Sequence, residues 1–149
     1  MKFNFKQLVF IFGLLSLVNC AAISSENTPT LELLDVYEIS YDTQFEKTQV
    51  GGLSGIDYDK KEDQYYIISD DRAEQNDARI YEAKIEIDQN KIKKVDFLKV
   101  IYLKDKNQKL FENSKVNPLK STDPEDVRYN AKKNTLVWSS EGERIIKGN

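Results

Sequence analysis

The chain has 149 residues, with 22 basic and 25 acidic side chains and no histidine. The length suits one domain, and the slight acidic excess argues against a nucleic-acid-binding surface, which needs an excess of basic residues. With no histidine and one cysteine, the composition excludes Ser-His-Asp and Cys-His catalytic devices within the chain and argues against a zinc site. Carboxylates, Lys, Arg, Tyr, hydroxyls or a hard cation must therefore carry any chemistry.

Residues 1–20 have the plan of a signal peptide. Two lysines precede an apolar run at residues 8–18, which is too short to span a bilayer as a helix. The sequence around Cys20 resembles a bacterial lipoprotein processing site, so we predict export and a lipid anchor on Cys20 in the cell envelope. Asn19 stands where a small residue is usual, and cleavage that discards the cysteine would give a secreted or periplasmic soluble protein. A buried N-terminal helix is the third alternative, although the run lacks a polar stripe.

The small and polar residues 21–30 predict a tether. The folded domain is then expected to span residues 31–149. Its first strand is predicted at residues 31–40, where leucine, valine and isoleucine recur.

An internal repeat organises this domain. Residues 51–72 recur without gaps 71 residues later, and a repeat of this kind indicates a repeated structural unit. Each copy reads as a short strand, a polar turn and a second, more apolar strand, which predicts a β-hairpin. In an antiparallel hairpin the start of the first strand and the end of the second lie at the same end. We therefore expect the acidic residues that flank the two hairpins to share one rim.

Two longer strands follow the first hairpin. Residues 79–87 alternate between apolar and charged side chains, so one face of this strand should be exposed to solvent. A turn is predicted at residues 88–90, and residues 91–103 form the next strand. Its apolar side chains have the spacing of a single face and are Val95, Phe97, Ile101 and Leu103.

These elements predict an all-β fold of the β-propeller type. Residues 53–103 give four antiparallel strands in meander order, as in one propeller blade, and the apolar strands at residues 65–68 and 136–138 should be covered on both faces. After a long polar connection at residues 104–121, functional or mobile, a second blade begins and reaches its third strand near Arg144. Because a propeller closes with roughly four to eight blades, we expect the N-terminal part of a longer protein. A small β-sandwich or open sheet is the alternative.

Acidic residues lie just outside the strand ends that the hairpins place on one rim, with Glu143 beside them. The candidate metal ligands are Asp70, Asp71, Asp123, Glu125 and Glu141. Ca²⁺ takes six to eight oxygen ligands in loose geometry, so the rim predicts a calcium site. Arg72 and Arg144 each follow an acidic cluster and are candidates to hold an anionic substrate. The alternatives are solvated carboxylates that cap turns and arginines in surface ion pairs.

Four segments resemble the signature segments of the phytase-like family, also called the esterase-like activity of phytase family. They are residues 51–59, 68–72, 123–128 and 138–143, and the likeness extends from about residue 31 to the C-terminus. The resemblance implies a secreted β-propeller with acidic residues around one mouth of the ring, linked to calcium and to phosphate-ester hydrolysis. Asp126 departs from the small apolar residue common after Asp-Pro-Glu, and either tightens a cation site or faces solvent.

We therefore predict a calcium-dependent hydrolase of phosphate esters or related esters at the cell envelope, incomplete and inactive in this chain. Its candidate catalytic residues are Glu125 and Glu141, and its substrate is a small anionic or phosphorylated molecule. A non-catalytic, lipid-anchored propeller that binds a partner or nutrient is the alternative.

Overall fold

The computed structural model describes residues 29–142. Within these residues all the strands lie between Gln44 and Ser140. The predicted signal peptide, Cys20, Glu143 and Arg144 lie outside the described residues. Within residues 29–142, no helix is long and apolar enough to cross a membrane.

Regular structure in the described residues consists of strands and one short 3-10 helix. The elements are β1 (Gln44–Phe45), β2 (Thr48–Gln49), β3 (Leu53–Asp59), β4 (Gln64–Ser69), β5 (Arg79–Asp88), β6 (Lys91–Tyr102), the 3-10 helix (Pro118–Lys120), β7 (Pro124–Asn130) and β8 (Thr135–Ser140). Strands β3 to β6 form one antiparallel sheet in chain order, while β1–β2 and β7–β8 are two-stranded hairpins. The predicted all-β fold and four-stranded meander are confirmed.

The repeat appears as two matching hairpins, β3–β4 and β7–β8. Asp63 and Asn134 occupy equivalent turn positions with φ of 50° and 49°, a left-handed conformation that Asp and Asn adopt more readily than most residues. In each copy a tyrosine hydroxyl from the first strand binds the turn. Tyr58 donates to Asp63 Oδ1 at 2.7 Å and Tyr129 donates to Asn134 Oδ1 at 2.9 Å. The same local chemistry therefore closes both turns.

Gly55 allows the second hairpin to pack closely against the first. A Cβ at position 55 would lie 2.5 Å from Asp126 Oδ1 and 2.7 Å from Asp126 Cα, so only glycine fits without displacement of β7. Asp57 Oδ2 accepts a hydrogen bond of 2.7 Å from the backbone N–H of Tyr129 and ties the two hairpins together. This contact brings the acidic ends of both repeat copies to the same side of the fold.

Two apolar clusters lie on opposite faces of the four-stranded sheet. Ile80 belongs to the first cluster and Tyr81 to the second, and successive residues of a strand point to opposite faces. The buried members of the first cluster are Tyr66, Ile68, Ala78, Ile80, Leu103 and Val127, and those of the second are Val50, Tyr81 and Val100. Strand β4 is covered on both sides as predicted, because its successive residues Ile67 and Ile68 are both buried.

A β-bulge changes the face of the sheet on which some side chains of β6 lie. The prediction that the apolar residues of this strand share one face is wrong. Glu82 pairs with Lys99 and Ala83 pairs with Phe97, so Leu98 is an extra residue in the ladder. Phe97 therefore packs with the second cluster, whereas Ile101 and Leu103 pack with the first.

Strand β8 is also less covered than predicted. Leu136 and Trp138 pack against the first cluster, but the intervening Val137 is 59 % exposed. The expectation that residues 136–138 are covered on both faces is therefore wrong for the described part of the chain.

The predicted strand at residues 31–40 is absent, and the sequence did not predict the β1–β2 hairpin. Side chains rather than a backbone ladder hold these segments near β6. Asp35 Oδ2 accepts from the backbone N–H of Ile92 at 2.8 Å, and Glu46 Oε2 accepts from that of Val100 at 3.3 Å. Carboxylates of residue 35 and of the β1–β2 turn thus accept from backbone N–H groups of β6 where a ladder partner would.

Replacement of Gly55 by alanine tests the packing between the hairpins. The added methyl group meets the backbone of Asp126, so we expect Gly55→Ala to lower the free energy of unfolding by about 1–3 kcal/mol, the usual cost of overpacking. Urea denaturation measures the change. Gly51→Ala is the matched control, because a Cβ there has no atom within 4 Å. Equal stability of the two variants would contradict this interpretation of the contact.

Candidate metal centre

Hydrogen bonds close the acidic end of each hairpin. The backbone N–H of Asp70 donates to Gly52 O at 2.7 Å, and that of Glu141 donates to Asp123 O at 3.1 Å. These bonds confirm that the start of each first strand lies beside the end of its second strand. Ser140 Oγ also accepts from Asp123 N at 3.1 Å, so a serine side chain helps to fix the end of the second hairpin.

Three of the predicted ligands lie together. Asp123, Glu125 and Glu141 each offer a carboxylate oxygen, and these oxygens all lie within 4.8 Å of one another. Burial raises the pKa of Glu125, and the charges of Glu141, Asp123 and Asp70 raise it further. Asp70 is therefore close enough to act electrostatically on this group. We call Asp70, Asp123, Glu125 and Glu141 the acidic rim.

Gly52 sets the position of the Asp70 carboxylate. Its φ is +58°, and a Cβ at this position would lie 1.9 Å from Asp70 Oδ1. The absence of a side chain lets the carboxylate fold back against the backbone of the neighbouring strand. The paired glycines that open the repeat thus shape the acidic rim.

Asp123, Glu125 and Glu141 offer oxygen ligands at a spacing that Ca²⁺ allows. Calcium–oxygen distances are about 2.3–2.6 Å, so two oxygens on one ion lie at most about 5 Å apart. The 4.8 Å limit among the three carboxylates satisfies this condition. Ca²⁺ also accepts backbone carbonyls and water, and the exposed position of Glu141 leaves room for them. These residues fit a calcium ion.

Asp71 has a different environment from its neighbour Asp70. Its Oδ1 accepts from the backbone N–H of Glu74 at 2.9 Å, while its Oδ2 accepts from Asn76 N and Arg79 Nη1, both at 2.9 Å. Burial raises the pKa of Asp71, but the bonds from Arg79 and the backbone outweigh it and hold the pKa below its ordinary value. The structure therefore places Asp71 within a turn and not among the three converging carboxylates.

Arg72 lies beside the acidic rim. Its Nε is 3.6 Å from Asp123 Oδ1, and its side chain is 32 % exposed. Arg72 and three of the four rim residues, Asp70, Asp123 and Glu125, line a cleft of about 560 Å³. A positive group and a candidate cation site thus open into one space. Arg144, the other predicted anion-binding residue, lies outside the described residues.

Sequence reasoning missed two residues that line this cleft, Arg79 and Glu74. Arg79 is 2 % exposed, although its position at the start of an alternating strand gave no sign of burial. Glu74 Oε1 accepts from Ser114 Oγ at 2.5 Å, and Lys115 forms an ion pair with the same side chain. Neither the spacing nor the composition of the chain signals contacts between residues so far apart. The polar connection at residues 104–121 therefore supports the loop that carries Arg72.

A comparison with known families identifies the family of this chain. The family model for phytase-like proteins, described as the esterase-like activity of phytase, matches residues 48–148. The chain belongs to the phytase-like family. The match includes both hairpins and the whole acidic rim of this phytase-like chain. No curated protein and no solved structure matches it.

The raised pKa of Glu125 predicts that the acidic rim lowers the stability of the fold, by an amount that depends on pH. Because the pKa is raised in the folded protein, ionisation of Glu125 destabilises the calcium-free fold as the pH rises above the ordinary glutamate pKa of about 4.3. We expect Glu125→Gln to raise the melting temperature at pH 7 in EDTA, and to give no such gain near pH 3.5, about one unit below that pKa.

Differential scanning fluorimetry at the two pH values measures this effect. Glu86→Gln is the control, because Glu86 is an exposed glutamate on β5 that lies outside the acidic rim. An equal gain from Glu125→Gln at both pH values would contradict the electrostatic explanation.

Proposed function

We propose that this phytase-like domain binds Ca²⁺ at the acidic rim and hydrolyses phosphate esters or related esters in the adjoining cleft. The observation that supports this function is the convergence of Asp123, Glu125 and Glu141 beside a cleft that also contains Arg72. A bound calcium ion supplies a positive charge for a phosphate oxygen and lowers the pKa of a water nucleophile. Family membership favours the same chemistry.

The residues of the acidic rim divide the proposed work between cation binding and catalysis. Asp123, Glu125 and Glu141 hold the cation, and Asp70 adds negative charge at its side. Glu125 has a raised pKa, and a raised pKa is the direction that suits a carboxyl group to proton transfer. Glu141 is exposed, and one of its carboxylate oxygens lies within 4.8 Å of one on Glu125. The two glutamates are therefore the proposed catalytic residues.

Arg72 is the proposed binding group for the substrate. A guanidinium presents two parallel N–H groups to a phosphate or carboxylate and binds it in a fixed orientation. Its position next to Asp123, at 3.6 Å, places an anion that it binds beside the acidic rim. The cation and the arginine together would neutralise a small phosphorylated substrate.

We also propose that the protein is exported to the bacterial cell envelope and anchored through a lipid on Cys20, as its N-terminal sequence predicts. A secreted or periplasmic soluble form is the alternative. In either location, calcium outside the cytoplasm would reach the acidic rim directly.

Calcium bound at the acidic rim should stabilise the protein, by an amount that grows with the logarithm of the calcium concentration. A ligand at a hundred times its dissociation constant adds about 2.7 kcal/mol to the free energy of unfolding, so we expect a clear rise in melting temperature with added CaCl₂ and its reversal by EDTA. The double variant Glu125→Gln with Glu141→Gln should lose this response. Glu38→Gln with Glu86→Gln removes the same charge elsewhere and should retain it. A calcium response that survives in the rim variant would exclude these glutamates as ligands.

Hydrolysis of p-nitrophenyl phosphate tests the catalytic part of the proposal. We expect turnover to require Ca²⁺, and Arg72→Met to lower kcat/KM by about tenfold or more, the cost of losing hydrogen bonds to a charged group. The control Arg128→Met removes an exposed arginine outside the cleft and should leave kcat/KM unchanged. Calcium-dependent binding of inorganic phosphate without turnover would contradict hydrolysis and favour the non-catalytic binding module.

A further inference from the structure

Arg79 is a buried arginine whose every nitrogen donates a hydrogen bond. It begins β5 and is 2 % exposed. Its Nη1 donates to Asp71 Oδ2 at 2.9 Å and to Asp77 O at 3.1 Å, and its Nε donates to Tyr81 Oη at 2.6 Å. Its Nη2 donates to Gln49 O at 2.8 Å. The guanidinium thus joins β2, β5 and the loop between β4 and β5.

The loop that Arg79 holds is built around the carboxylate of Asp71. Besides the bond from Arg79, this carboxylate accepts from the backbone N–H groups of Glu74, Gln75 and Asn76 at 2.9–3.2 Å. Ala73 in the same turn has φ of 57°, a conformation that costs free energy in any residue with a Cβ. The turn at residues 71–76 therefore depends on its polar bonds to keep this shape.

The turn carries functional candidates at its start. Asp70 precedes it and belongs to the acidic rim, and Arg72 lies within it on the wall of the cleft. A change in the turn would move both side chains although Arg79 itself is not part of the rim. Arg79 thus acts on these side chains through its ion pair with Asp71 and through the three backbone hydrogen bonds that Asp71 accepts.

We infer that Arg79 is a positioning residue for the acidic rim. It holds the turn at residues 71–76 through Asp71, and in doing so it fixes Asp70 and Arg72 and keeps the charge of Asp71 neutralised within the turn. The contribution to cation binding rests on the proposed function. The effect on the turn does not, because it follows from hydrogen bonds in the protein alone.

The geometry of the guanidinium is essential to this role. Three nitrogens in a fixed plane reach Asp71, Tyr81 and Gln49 at once, whereas a lysine ammonium is a single nitrogen at the end of a flexible chain. Lysine keeps the charge but cannot occupy the three positions. Arg79→Lys therefore tests the geometry of the guanidinium while the charge of the side chain stays the same.

Hydrogen exchange tests the inference in the full chain. We expect Arg79→Lys to increase the exchange rates of the backbone amides of Glu74, Gln75 and Asn76 at least tenfold, while those of Ile67 and Ile68 in β4 stay unchanged. Calcium affinity, measured by isothermal titration, should fall several-fold although every rim carboxylate is retained. Arg128→Lys is the matched control, because it alters an arginine whose ion pair with Asp126 is exposed, and it should change neither result.

Two outcomes would overturn the inference. Unchanged exchange at residues 74–76 would show that the turn does not depend on Arg79, and equal acceleration in the turn and in β4 would assign Arg79 to general stability instead. If Arg79→Lys does not fold, Asp71→Asn removes the other partner of the ion pair and should accelerate exchange at the same three amides. A wild-type chain that binds no calcium would refute the proposed function, while the exchange rates would still decide the role of Arg79.

Discussion

The close approach of β7 to β3 at Gly55 is the contact on which the rest of the arrangement depends. Each hairpin alone carries only part of the acidic rim, since Asp70 follows the first hairpin and the other three carboxylates flank the second. At Gly55 the two backbones approach to a distance that excludes a side chain, and Asp57 bonds across to Tyr129. This packing contact thus places Asp70 of the first hairpin near the three carboxylates of the second.

Two carboxyl groups near the cleft have pKa values shifted in opposite directions. Asp71 is surrounded by donors and has a lowered pKa, whereas Glu125 faces other carboxylates and has a raised pKa. Donors within the protein compensate the charge of Asp71. The carboxylates around Glu125 repel one another, and a bound cation would reduce this repulsion. For this reason the acidic rim, and not the turn at residues 71–76, is the candidate metal site.

The repeat made much of the fold and rim predictable, because matching hairpins place their strand ends by geometry alone. It foresaw β3, β4, β7 and β8 and the convergence of Asp123, Glu125 and Glu141. It did not foresee the bulge at Leu98, since an extra residue in a ladder depends on the partner strand. The burial of Arg79 was equally hidden, because its partners Asp71 and Gln49 are identified only once the chain has folded.

The carboxylates beside β6 have a consequence for how copies of this protein meet one another. Strand β6 is the outer strand of its sheet, and outer strands readily template the addition of foreign strands, the first step toward amyloid. Asp35 and Glu46 already occupy backbone N–H groups of this strand, and they present negative charge to any incoming chain. This side of the sheet is therefore partly blocked to the addition of a foreign strand.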